Sequence, residues 1–238
     1  MKMFNSKFLL MCAVLPALSF AAPVSYETNV PVDHVYSPTG FDSNDNTEVV
    51  VTGFLPNLCY KAPKSTVSIK DGKVSVEVKA TKIQPGLGFC VQVVVPFMEI
   101  IKVGVLDKGK YLVSVNENSN WAKKSNINIV EASSSSIDEA IYADVDEVVR
   151  EEGTRRVQLK GYNPSDCFVL KEIIVKDNGA DTYSILPKMK QVNTFCPKKM
   201  VPFTYEVDVP QNLEADTVLL HVRVMDGRSI NALFNNKI

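Results

Sequence analysis

The chain has 238 residues, with 26 Lys and Arg against 27 Asp and Glu and a formal net charge of −1. That balance argues against a nucleic-acid partner, which needs a surplus of basic groups to displace counterions from phosphates. Hydrophobic residues make up 45% of the chain, enough to bury a core in each of two ordinary domains.

The first element is a leader. Lys2 and Lys7 precede a short apolar run from Phe8 to Leu18, and Ser19-Phe20-Ala21 supplies small residues after it. This order marks a secretory signal peptide and is too short for a membrane span. Pro23 disfavours a cut directly before it, so cleavage is expected after Ala21, removing residues 1–21. A membrane anchor is the alternative reading of the same segment. No later apolar run reaches membrane length, so the mature product is expected to be secreted or periplasmic without a membrane span.

Beyond the leader the chain alternates with period two. Residues 48–53, Thr66–Lys70 and Val74–Val78 predict short strands rich in β-branched residues. Asp71-Gly72 between two of them predicts a type I′ turn, whose central positions both need φ > 0. Phe89–Val95, Tyr111–Asn116 and Ser125–Val130 continue the series. Residues 131–136, Glu-Ala-Ser-Ser-Ser-Ser, read as a linker giving two domains some mutual freedom. Strands then follow at Arg156–Gly161, Glu172–Lys176, Thr182–Ile185, Phe203–Val209, Val218–Val224 and Ser229–Phe234.

The second series repeats the first. GFLPNLCY at 53–60 lies over GYNPSDCF at 161–168, so Gly53, Pro56 and Cys59 fall on Gly161, Pro164 and Cys167. Phe89-Cys90 falls on Phe195-Cys196, and Pro96-Phe97 on Pro202-Phe203. Tyr111, Val113 and Val115 fall on Leu220, Val222 and Val224, and the lead-in Val32–Val35 falls on Val145–Val148. This is the pattern of a duplicated domain, expected over 22–130 and 137–238. An even count of mature cysteines in an exported chain reads as disulfides. The repeat selects Cys59–Cys90 and Cys167–Cys196, spaced 31 and 29 residues apart. Each bridge is worth roughly 3–4 kcal/mol by loop entropy. The glycines are expected to close a strand, the first prolines to stiffen a loop, and Pro96 and Pro202 to end a strand or mark an edge.

About seven short strands in each half is the rhythm of a sandwich. The expected fold is all-β, two tandem immunoglobulin-like β-sandwich domains with one intradomain disulfide each. A small, partly open barrel is the alternative. The antibody hallmarks are absent: the cysteine spacing is short and no Trp lies between the cysteines. The set G-x-x-P-x-x-C, F-C, P-F and an alternating strand resembles immunoglobulin-like modules of secreted bacterial proteins with no assigned function. The likeness covers 49–116 and, more loosely, 157–225. It implies a fold and no activity, and the second copy departs from it at CPKKMVPF.

Residues present in one copy only are the candidates for specialisation. In Asp42-Ser43-Asn44-Asp45-Asn46 the D-x-N-D-N spacing resembles the calcium-binding linker segment of cadherins. Asp42, Asn44 and Asp45 are therefore candidate Ca²⁺ ligands, since the ion takes several hard oxygens. The same residues also build an ordinary polar turn. Trp121, the only tryptophan, lies among polar residues and is either an exposed anchor for a protein or sugar or a half-buried packing residue. Pro56, Asn57, Pro164 and Ser165 on the stiffened loops are candidate contact residues. Phe54, Tyr162, Phe97 and Phe203 are expected in the core. Lys198-Lys199 and Arg155-Arg156 read as solvated strand ends.

No catalytic residue is assigned, because none of the common hydrolase, zinc or nucleotide motifs is present. The expected role is an exported, non-catalytic binding or structural protein that engages a protein, glycan or envelope partner. A secreted protease inhibitor inserting the loops 54–59 and 162–167 is the alternative. A third possibility is an enzyme whose chemistry rests on His34 or His221. No cofactor is expected beyond the calcium candidate.

Overall fold

The computed structural model describes residues 24–86, 88–179 and 181–237; the expected signal peptide lies outside them. Every regular element among the described residues is a strand. The first half holds β1 (Val24–Asn29), β2 (Val32–Tyr36), β3 (Thr47–Leu55), β4 (Lys64–Lys70), β5 (Lys73–Gln84), β6 (Val95–Gly104), β7 (Gly109–Val115) and β8 (Lys123–Ile129). The second holds β9 (Val145–Arg150), β10 (Arg156–Asn163), β11 (Phe168–Asp177), β12 (Thr182–Gln191), β13 (Val201–Asp208), β14 (Thr217–Val224) and β15 (Arg228–Asn235).

Alternation decides which face each strand buries. In the first half β4, β5, β7 and β8 form one sheet, with β1 also paired to β5, and β2, β3 and β6 form the other. Val49, Val51 and Ile101 from the second sheet meet Val74, Val76, Val113 and Ile127 from the first in a single apolar core. In the second half the sheet β11-β12-β14-β15 packs on β9-β10-β13 around Val157, Leu159, Tyr183, Ile185, Val222 and Phe234. The two halves are thus disulfide-stapled β-sandwiches with matching strand orders; β1 alone lacks a counterpart. Each contains a parallel pair, β5–β7 and β12–β14. Alternation does not reveal these pairs. They arise because the intervening strand, β6 or β13, crosses to the opposite sheet, as a parallel connection requires.

Asp71 and Gly72 have φ of 49° and 73° and join Lys70 to Lys73, the expected type I′ geometry. The repeated glycines have a different task from closing a strand, since β3 and β10 run on to Leu55 and Asn163. Gly53 faces Phe97 across β3–β6, and Gly161 faces Phe203 across β10–β13. A Cβ on Gly53 would lie 2.1 Å from the Pro31 carbonyl oxygen and 2.7 Å from the Phe97 ring. On Gly161 it would lie 2.0 Å from the Asp144 carbonyl oxygen and 2.9 Å from the Phe203 ring. Those same carbonyls accept the N–H of Phe54 at 3.2 Å and of Tyr162 at 3.1 Å. The glycine is the place where the lead-in strand and a cross-strand phenylalanine both close on the backbone.

Two expectations need correction. Phe89–Val94 is irregular, and the strand begins only at Val95. The disulfide draws Cys90 to the end of β3, carrying the segment across the rim of the sandwich instead of along a sheet. Pro96 and Pro202 consequently stand near the starts of β6 and β13, each an edge strand of its three-stranded sheet, where a missing N–H is tolerated.

The second correction concerns the linker. Asn44 Nδ2 donates to the Ser134 carbonyl at 2.6 Å, and the Ala132 N–H donates to Ser43 Oγ at 3.0 Å. The halves pack face to face, β2-β3-β6 against β11-β12-β14-β15, so the molecule is one pile of four sheets. Tyr36, Val50 and Leu219 are the dry centre of this seam. Around them Glu48 Oε1 accepts Ser229 Oγ and Asn231 Nδ2, each at 2.6 Å, and His221 Nδ1 lies 3.4 Å away. Arg223 donates to Asp45 at 2.6 Å and Asp138 at 3.2 Å, and His34 pairs with Asp181. By the repeat, Leu219, His221 and Arg223 on β14 correspond to Lys110, Leu112 and Ser114 on β7. Likewise Glu48 and Val50 on β3 correspond to Arg156 and Gln158 on β10. The seam therefore uses residues that only one copy carries.

Candidate functional site on the disulfide-tied loops

The calcium candidates lie in the loop between β2 and β3 and help to lock the seam. Asp42 Oδ1 accepts the Asn44 N–H at 2.8 Å, and Asp45 Oδ2 accepts the Asp42 N–H at 2.9 Å. Asp42, Asp45 and Glu139 bring oxygens within 4.8 Å of one another. The cation in contact with this group is Arg223, through Asp45. Burial works against the Arg223 charge, but the hydrogen bond and charge of Asp45, aided by Tyr142 and Asp138, raise its pKa above the ordinary range. Asn44 is turned toward Ser134. The turn reading of this segment thus has a structural purpose.

Both histidines are also occupied in joining the halves. His34, half exposed, pairs with Asp181. His221 is buried, 3.0 Å from Asn231 Oδ1 and edge-on to Phe41. Its neighbour Glu48 is pushed up by burial, yet hydrogen bonds and charge from His221, with hydrogen bonds from Ser229 and Asn231, bring its carboxyl down to about 2.

The loops behave differently. Asn57 Oδ1 accepts the Cys59 N–H at 3.0 Å, and Ser165 Oγ accepts the Cys167 N–H at 3.2 Å. The two copies close the same turn with different side chains. Pro56, Asn57 and Pro164 are half-buried and Ser165 is buried, so these candidate contact residues form the fixed base of each loop. Cys59–Cys90 and Cys167–Cys196 pin the opposite arm to that base, with Cα atoms 5.4 and 5.6 Å apart. The Leu58 N–H donates to the Val91 carbonyl, and the Lys199 N–H to the Pro164 carbonyl.

What projects is the phenylalanine before the second cysteine. Phe89 is 86% exposed and Phe195 81%. Leu58, Val91, Val93 and Val94 stand exposed beside Phe89, and Val192 and Met200 accompany Phe195. Sequence reasoning saw both F-C pairs and read Phe89–Val95 as a strand, because its apolar run looks like that of a buried strand. Trp121, on the turn after β7, is 40% exposed and between its two expected roles. Tyr162 corrects the core expectation: it is 44% exposed. Phe54 is half-buried, while Phe97 and Phe203 pack on the cores.

Residues 49–123 match the family described as the ORF11 beta-sandwich domain. That segment runs from inside β3 to the start of β8 and contains the whole Cys59–Cys90 loop. The chain is similar to this family over less than half its length, and the match supports a β-sandwich module there. No curated protein and no solved structure matches.

The two loops face opposite ends of the pile. Asp45, Glu48 and Val50 of the first half meet Arg223, His221 and Leu219 of the second, so β3 runs antiparallel to β14. Cys59 follows the C-terminal end of β3 and so lies toward the start of β14 and of its parallel neighbour β12. Cys167 and Cys196 lie at the other end of β12, where the Val192 N–H donates to the Cys167 carbonyl at 2.9 Å.

Proposed function

We propose that this chain is an exported, non-catalytic binding protein, a rigid pair of duplicated immunoglobulin-like sandwiches that presents its disulfide-tied loops to an envelope partner. One observation carries this: each half holds an almost fully exposed phenylalanine on a covalently pinned loop. A soluble fold rarely leaves a projecting apolar cluster bare without a use for it, and pinning lowers the entropy lost on contact. The inhibitor alternative draws no support from the polar candidates on the turns at 54–59 and 162–167, since the Asn57 and Ser165 side chains are spent on closing them. The test is capture from envelope extract. Wild-type protein is expected to retain a component that Phe89→Ser/Phe195→Ser does not. Equal retention by both would remove the loops from the function. The protein is proposed to need no cofactor, because Arg223 already neutralises Asp45; calorimetry with millimolar Ca²⁺ is expected to give no binding heat.

A further inference from the structure

The exposed loops share a second property, their charge. No Asp or Glu occurs between residues 49 and 70 or between 78 and 98, the two segments that build the first loop and its flanks. Lys61, Lys64 and Lys82 lie there, with Lys82 beside the Tyr60 ring. In the second half no acid occurs between 182 and 205, while Lys188, Lys190, Lys198 and Lys199 do. Asp166, across the disulfide, neutralises only Lys199, at 3.1 Å. In a chain with a net charge of −1, the segments that carry both projecting phenylalanines thus hold lysines and no acid.

The shape of the first loop narrows the choice of partner. Val91, Gln92, Val93 and Val94 are all exposed in succession, with no alternation of buried and open positions. A flat protein partner would cover one side of such a segment and leave the other in water. A lipid interface surrounds it, taking apolar side chains between acyl chains while lysines remain at the headgroups. Trp121 lies toward the same end, because β7 runs parallel to β5 and its following turn is tied by Asn116 to Val78 and Val30. Tryptophan is a preferred residue at membrane interfaces.

Resting on the binding role proposed above, we propose that the partner of each loop is an anionic lipid surface, entered by Phe89 in one half and Phe195 in the other. Because the loops face opposite ends of the pile, one molecule reaches two such surfaces. The attraction adds apolar insertion to Coulombic capture, and the second part weakens with salt.

The test uses the exported, processed protein with vesicles of phosphatidylcholine and phosphatidylglycerol in two-to-one proportion, and vesicles of phosphatidylcholine alone. Co-sedimentation is expected with the mixed vesicles, to fall with added salt, and to weaken by about tenfold or more in Phe89→Ser/Phe195→Ser. Each single variant is expected to keep binding but lose the vesicle clustering that wild type produces. Both phenylalanines are exposed, so unchanged circular dichroism and an intact disulfide map are expected to accompany the loss. The variants share the wild-type N-terminus, so a difference between them belongs to the loops. Failure to bind mixed vesicles overturns the proposal, as does binding indifferent to both substitutions. Wild-type binding without clustering overturns the two-surface part. If vesicles fail but a captured envelope protein is lost in the double variant, the lipid is wrong and the loop-binding role stands. If both fail, the role falls too.

Discussion

Gly161 shows how one residue type follows from geometry. Its missing Cβ leaves room for the Asp144 carbonyl and the Phe203 ring, and neither can retreat cheaply: one is backbone and the other packs on the core. Gly161→Ala is expected to lower stability by about 2–3 kcal/mol in urea unfolding, and Gly53→Ala to do the same. The repeat marked these positions; the reason for them, a backbone carbonyl just ahead of β2 or β9 closing on the glycine, was not readable from it. Glu48 was still less visible, since it opens a predicted strand as an ordinary polar residue. Its folded pKa, brought down from the ordinary 4.5 to about 2, lies below the unfolded one. Its stabilisation is therefore complete above the ordinary carboxylate range and is lost as pH falls toward 2. Glu48→Gln is expected to cost about 2–3 kcal/mol near neutral pH. The gap from wild type should close as pH drops from about 4.5 toward 2 in a series of denaturation curves.

Among the elements, strands with β-branched alternation were legible. So was the disulfide pairing, because a duplicated scaffold admits one economical solution. The 89–94 segment was not, since composition cannot tell a strand from an apolar loop held out by a covalent tie. The consequence for stability is separable. Cys59→Ser/Cys90→Ser is expected to lower stability by about 2–5 kcal/mol and to free the loop to early proteolysis. Phe89→Ser alone is expected to stay within about 0.5 kcal/mol of wild type, because it touches little of the fold. A large loss in the phenylalanine variant would mean that the ring is packed in solution.

At the scale of the whole molecule, docking of the halves was not legible beforehand, because the Ser-rich stretch has the composition of a flexible tether. Docking is carried by side chains scattered over Tyr36, Glu48, Val50, Leu219, His221 and Arg223. Arg223→Ala leaves Asp45 buried without its cation and is expected to cost about 3–5 kcal/mol. Val50→Asp puts a charge at the dry centre of the seam. Small-angle scattering is expected to show a longer particle for it than for wild type; an unchanged profile would mean that the seam does not hold the halves together.

The seam joins unlike faces, the three-stranded sheet of the first copy to the four-stranded sheet of the second. A contact between unlike faces of equivalent units does not close on itself; left unchecked, it adds units without end. Each half here still exposes the face that its twin has used. Those faces present Lys110 and Leu112 in place of Leu219 and His221, and Arg156 and Gln158 in place of Glu48 and Val50, so they do not offer the side chains that make the seam. The divergence of the two copies confines the chemistry of the seam to the one pair of faces that meets in it.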